Sequence, residues 1–157
     1  MLKKIFPWLV FVLFFALLII GFSVKENMNS YISKMMKEQA SPETINMGEA
    51  LVDSLYNYSF NELKYEITFL EFGSKGCSAC KRMETVMEEI RSQYPKKVNV
   101  VFYDILLPKN QKLMKYFGIA AIPTQVLLNK NGEEFFRHTG FYSQDELSRK
   151  ISLTKNN

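Results

Sequence analysis

Two cysteines, three positions apart in Cys77-Ser78-Ala79-Cys80, are the only ones in this 157-residue chain. At that spacing two sulfurs can exchange with a partner's disulfide, supply half of a metal site, or close a small structural bridge. The bridge is a poor staple, because closing so short a loop takes little entropy from the unfolded chain. A closed zinc site needs four ligands; there is no second cysteine pair, and the one histidine, His138, lies far along the chain. Copper(I) asks for less, since thiolate and thioether are both soft ligands, and Met28, Met35 and Met36 could assist. A copper carrier therefore stands as the alternative from a different class.

Exchange asks for two sulfurs in unlike surroundings, one to attack as a thiolate and one to resolve the mixed disulfide. The stretch LEFGSKGCSACKRMETV, residues 70–86, predicts that asymmetry. Cys77 falls where an apolar run gives way to a helix. Its sulfur can face the free N–H groups and positive end of the helix dipole, which favours the thiolate. Lys75, Lys81 and Arg82 add positive charge nearby in sequence. Cys80 falls on an apolar stripe with Met83, Met87 and Ile90, where water is scarce.

The elements that must hold these positions follow from periodicity. Residues 67–72, ITFLEF, form the continuous run of a strand covered on both faces. A helix is expected over 78–94, a strand over 98–103, and a short helix over 110–117 stopped by Gly118. A third strand over 124–129 is followed by an Asn131-Gly132 turn into a fourth, EEFFRH. Ser143-Gln144-Asp145-Glu146 is a capping box for a last helix through Leu153. Upstream, Ser41-Pro42-Glu43 opens a helix with a cap, a first-turn proline and an acid. Its expected inner face is Ile45, Leu51, Val52 and Leu55, and 56–63 is expected to be a connection. The order β-α-β-α-β-β-α implies parallel pairing early and antiparallel pairing late.

Residues 5–24, IFPWLVFVLFFALLIIGFSV, are uncharged and bracketed by Lys4 and Lys25. As a helix they span about 30 Å, the thickness of a bilayer's hydrocarbon core. The run is longer than a signal-peptide core and lacks a good cleavage site, so an uncleaved signal anchor is expected. Residues 1–24 then form a cytoplasmic stub and transmembrane anchor, 25–40 a juxtamembrane helical stalk, and 41–157 the folded domain. Met28, Tyr31, Ile32, Met35 and Met36 are spaced as on an amphipathic helix. The lysines before the apolar run favour an inside amino terminus and an exported domain. The net charge is +4, which Lys3 and Lys4 reduce to +2 for the rest. With no basic stripe, nucleic acid is excluded as a partner.

The cysteine pair between a first strand and its helix, together with GIAAIPT and NKNGEEFFRHTGF, resembles the thioredoxin family over about residues 66–151. The resemblance implies an α/β, thioredoxin-like three-layer fold with a mixed central sheet, here preceded by the transmembrane helix and stalk. It implies a cis Ile122-Pro123 bond beside the cysteines, and a substrate face made of Gly76, Ser78, Ala79, Ile122, Pro123 and Thr124. Glu71 stands where the family usually carries a buried aspartate. Burial there would raise its pKa and suit it to accept a proton from Cys80. Three departures accompany these matches: Gly76 replaces the usual tryptophan, Ser78-Ala79 replaces Gly-Pro, and the second strand has no lysine to partner the acid.

The chain is also similar to membrane-tethered, exported thioredoxin-like reductases. That likeness implies an extracytoplasmic thiol–disulfide oxidoreductase, with Cys77 as nucleophile, Cys80 as resolving thiol, and Cys77–Cys80 as its redox disulfide. The expected partners are a disulfide-containing exported protein, a membrane electron-donor protein, and the lipid bilayer through residues 5–24. No cofactor or metal is called for. A disulfide-forming oxidase of the same fold is the rival within the class.

Overall fold

The computed structural model describes residues 2–153, except the side chains at 2–7, 9, 20–27 and 30. A single helix, α1 (Leu2–Glu38), runs through both the expected anchor and the expected stalk. The described side chains of its first half, among them Trp8, Phe11, Leu13 and Leu17, are exposed and apolar. Several side chains of the expected 5–24 span lie outside the described residues. Among the described residues no helix is long and apolar enough to cross a membrane, so the spanning helix gains no support there.

The stalk departs from expectation. Met28, Tyr31, Ile32 and Met35 are exposed, and among the described side chains of this helix the buried one is Ser33. The docking face is polar because Gly118, held at φ +60, brings its backbone against the Ser33 carbonyl, where a side chain would not fit. Lys37 completes the contact with an ion pair to Glu134 at 3.0 Å.

The sheet has the order β2-β1-β3-β4, with β1 (Ile67–Gly73), β2 (Val98–Asp104), β3 (Thr124–Asn129) and β4 (Glu134–Thr139). β1 pairs parallel with β2 and antiparallel with β3, and β3 pairs antiparallel with β4. The mixed sheet follows from the connections: a helical crossover permits the parallel pair, and a tight turn with Gly132 at φ +81 makes the hairpin. Every residue of β1 is buried, because helices cover both faces of the sheet.

One face packs α4 (Ser78–Gln93) and α6 (Gln144–Leu153) over Ile67, Phe69, Val98 and Leu127. The other packs α2 (Pro42–Tyr56) and α5 (Gln111–Tyr116) over Leu70, Phe72, Val126 and Leu128. Ser41 caps α2 as expected, accepting from the Thr44 N–H. Of its expected inner face, Val52 is buried, while Leu51 and Leu55 are exposed; Gly48 and Tyr56 fill the contact instead. Gly48 lies directly under the Tyr116 ring, so α2 and α5 approach too closely for larger residues there. The expected connection after α2 contains a helical turn, α3 (Tyr58–Asn61). Its Tyr58 hydroxyl meets the buried Thr68 hydroxyl at 2.6 Å, a tertiary bond that no local pattern encodes.

Candidate active site

β1 ends at Gly73, and a short turn delivers the chain to α4, with the Cys77 N–H donating to the Ser74 carbonyl at 3.2 Å. Cys77 is the N-cap of α4, in extended conformation at φ −89 and ψ 117. Its sulfur accepts the Cys80 backbone N–H at 3.2 Å, one of the donors that a helix start leaves without an intrahelical partner. The two cysteines are joined in a disulfide with Cα atoms 5.2 Å apart. Cys77 is half-buried at the surface, whereas Cys80 is 2% exposed. The asymmetry anticipated from sequence is present.

Close packing explains the shelter of Cys80. A Cβ added to Gly73 would sit 3.2 Å from both the Cβ and Sγ of Cys80 and 3.0 Å from Phe102. The strand end is therefore side-chain-free where the buried sulfur presses on it. Continuing the β1–β3 register beyond Phe72↔Thr124 sets Pro123 beside Gly73. The Ile122-Pro123 bond is cis. Ile122 is half-buried, and none of the described residues hydrogen-bonds its backbone.

Of the other expected substrate-face residues, Gly76 and Ser78 are exposed and Ala79 is half-buried, while Pro123 and Thr124 are buried. The Thr124 hydroxyl donates to the Ala121 carbonyl at 2.8 Å and meets the Thr139 hydroxyl at 3.0 Å. The Thr124 side chain thus braces the loop from beneath. The exposed cations Lys75, Lys81 and Arg82 rim the pair. Arg82 lies over the ring of Phe141, 4.9 Å from its centroid, so a loop 59 positions later contributes to the rim. Sequence reading missed Phe141; its signal was an exposed aromatic directly after Gly140.

Glu71 is fully buried in mid-strand, on the same face as Phe69 and on the same side of β1 as Gly73 and Cys80. It does not reach solvent. Burial pushes its carboxyl up to about 8 from an ordinary 4.5, against the opposing pull of hydrogen bonds from Gln125. Gln125 stands directly across the β1–β3 ladder and is itself 0% exposed. Its Nε2 donates to both carboxyl oxygens of Glu71, at 3.3 and 3.1 Å. Gln125 is the second residue missed from sequence, although an amide directly before the apolar Val126-Leu127-Leu128 was a visible signal. Among the described residues no group of three or more His, Cys, Asp or Glu side chains converges as a metal site would require.

A disulfide between a half-exposed sulfur at a helix tip and a sheltered one behind it, with a protonatable acid on the same side of the adjoining strand, can carry out dithiol–disulfide exchange. Known proteins are similar to this chain in sequence and fold. Residues 60–154 match the family described as Thioredoxin-like domain. The thioredoxin of Rickettsia bellii is 31% identical over 100 residues, covering 62% of this chain and 92% of that protein. Thioredoxin 2 of Plasmodium falciparum is 32% identical over 93 residues, covering 59% of this chain but 55% of that protein. Among solved structures, thioredoxin-2, a component of malaria parasite protein secretion machinery, superposes with a TM-score of 0.51 at 29% identity, covering 59% of this chain and 84% of that one. Fold, cysteine pair and sequence match agree, and the chain belongs to the thioredoxin-like family of disulfide oxidoreductases.

Proposed function

We propose that this chain is a membrane-tethered thiol–disulfide oxidoreductase that works outside the cytoplasm and reduces disulfides in exported proteins. The exchange chemistry rests on one observation: Cys77 stands at the helix tip with an N–H aimed at its sulfur, while Cys80 is sealed behind it. The tether rests on the twenty uncharged residues at 5–24, bracketed by Lys4 and Lys25. The isoleucine before Pro123 supports reduction by likeness to family reductases.

The disulfide form must first accept two electrons from a donor dithiol, which a membrane protein would supply. The Cys77 thiolate then attacks a partner's disulfide, forming a mixed disulfide and releasing the partner's first sulfur as thiolate. Cys80 gives up its proton, with the Glu71 carboxylate as acceptor, and its sulfur attacks Cys77. The mixed disulfide breaks, Cys77–Cys80 re-forms, and the partner leaves as a dithiol. Backbone pairing at Ile122 aligns the partner's extended chain, and the cationic rim draws the departing thiolate towards solution.

Expressing the full chain with Cys80→Ala tests the roles. It should accumulate mixed disulfides on Cys77 with exported proteins, and Cys77→Ala should trap none; the reverse pattern would exchange the two assignments. A redox titration separates directions: a potential near about −270 mV supports reduction, and one near about −120 mV supports oxidation. Labelling of a cysteine placed in the domain by a membrane-impermeant reagent on intact cells tests its location, and labelling only after lysis rejects an external site.

A further inference from the structure

Among the described residues Glu71 has one hydrogen-bonding side chain as partner, and that partner is only half used. Gln125 is fully enclosed, donates its Nε2 to both carboxyl oxygens, and leaves its own Oε1 buried with no hydrogen bond. A buried amide oxygen without a donor needs an explanation. The chemistry of the neighbouring acid supplies one. An ionised carboxylate only accepts, so it takes the Nε2 donor; a protonated carboxyl also presents an O–H that must find an acceptor. Turning the amide end over end exchanges donor for acceptor in nearly the same volume. Among the described residues, Gln125 is the side chain that hydrogen-bonds Glu71, and its amide offers both.

We propose that Gln125 is a positioning residue for the proton step at Cys80, holding the Glu71 carboxyl in one place through both of its protonation states. The proposal rests on the exchange reading given above and names the group that replaces the cationic partner missing from β2. The groups facing Glu71 are Gln125 from β3, Phe102 from β2 and, towards the strand end, Cys80 from α4. His138 of β4 lies beyond Gln125 in the same row, its ring against Tyr142 at 4.5 Å, and Glu146 of α6 is the acid near His138. Burial and Gln125 are what set the Glu71 carboxyl. In the step itself the Cys80 S–H bond breaks, its proton passes to a Glu71 oxygen, the sulfur's electron pair forms the new bond to Cys77, and the bond from Cys77 to the partner's sulfur breaks, that sulfur leaving as thiolate. The amide contributes neither proton nor electrons; it keeps the acceptor oxygen aimed.

The test follows Glu71 directly, in the full chain solubilised with detergent and held in the disulfide form, where neither cysteine titrates. The Glu71 carboxyl carbon and the Gln125 side-chain amide should move with pH around one shared midpoint. A Gln125 amide that stays still while Glu71 titrates overturns the proposal, and needs no variant that must fold. With Gln125→Met the Glu71 midpoint should rise by about one unit, since the remaining influence is burial. Release of thionitrobenzoate from its adduct on Cys77 should then slow about tenfold at neutral pH and recover at higher pH. In a Glu71→Gln background, Gln125→Met should not shift the pH profile further. Equal slowing at every pH, or in both backgrounds, reduces Gln125 to packing and defeats the idea. A wild-type protein that never resolves the Cys77 adduct would sink the exchange reading instead, while leaving the carboxyl titration to stand or fall alone.

Discussion

Two glutamates on opposite faces of the same sheet respond to enclosure in opposite ways. Burial raises both carboxyls. At Glu134, however, Arg137 at 2.7 Å and Lys37 at 3.0 Å outweigh burial and hold the group below its ordinary 4.5. Glu71 has only a neutral amide, and its carboxyl rises to about 8. Enclosure sets the cost of ionising, and the partner's charge decides whether that cost is met. One acid is thereby held as an anion at neutral pH and fastens α1 to the domain. The other is free to change protonation state on the same side of β1 as the buried Cys80.

The largest expected effect is on stability against pH, and the two acids act in different windows. Glu71 is protonated more readily folded than unfolded. Its contribution is complete below about 4.5 and is lost as pH rises towards about 8. The loss is on the order of 5 kcal/mol as an upper bound. Chemical denaturation of the full chain should show the decline, and Glu71→Gln should flatten it. Glu134 has the opposite sign: its contribution is present above 4.5 and fades as pH falls through its lowered value. Glu134→Gln should flatten only the acid limb. If both variants flatten the same limb, the contrast is wrong.

Next in size is catalysis. Glu71→Gln should slow resolution of the Cys77 mixed disulfide by about a hundredfold, the low end for loss of a positioned base. Stopped-flow rates would check this, and Glu134→Gln should leave them unchanged. Gly73→Ala should destabilise by about 1–3 kcal/mol, because its Cβ meets Cys80 and Phe102 at contact distance; thermal unfolding measures it. Smallest is Lys37→Met, a half-exposed partner of Glu134. It should cost about 1 kcal/mol or less and only partly restore the Glu134 titration towards normal.

The elements around the site were legible because their signals are local. Ser143 and Glu146 form the reciprocal cap their spacing announced, with the Ser143 N–H donating to the Glu146 carboxylate at 3.1 Å. The cysteine pair announced its own unequal surroundings, since a helix start and an apolar stripe are both visible within one turn. The partners of the buried acids were not legible. Gln125 is 54 positions from Glu71, and their pairing exists only once β1 and β3 adopt one particular register. A shift by one residue would turn Gln125 to the opposite face. The docking of α1 escaped for a related reason: the pattern of methionines and Tyr31 suggested an apolar contact, while the real one is set by a glycine 85 positions away from Ser33.

That glycine contact has a mechanical consequence. With Gly118 against the Ser33 backbone and Lys37 clasped to Glu134, α1 and the domain turn together about the helix axis. Each helical residue advances by about 100°, so one residue inserted between 25 and 32 would swing the disulfide a quarter-turn or more relative to whatever grips the amino-terminal end. Seven inserted residues, close to two full turns, would restore its bearing while lifting it about 10 Å. The length of this helix therefore acts as a compass setting for the direction in which the disulfide faces.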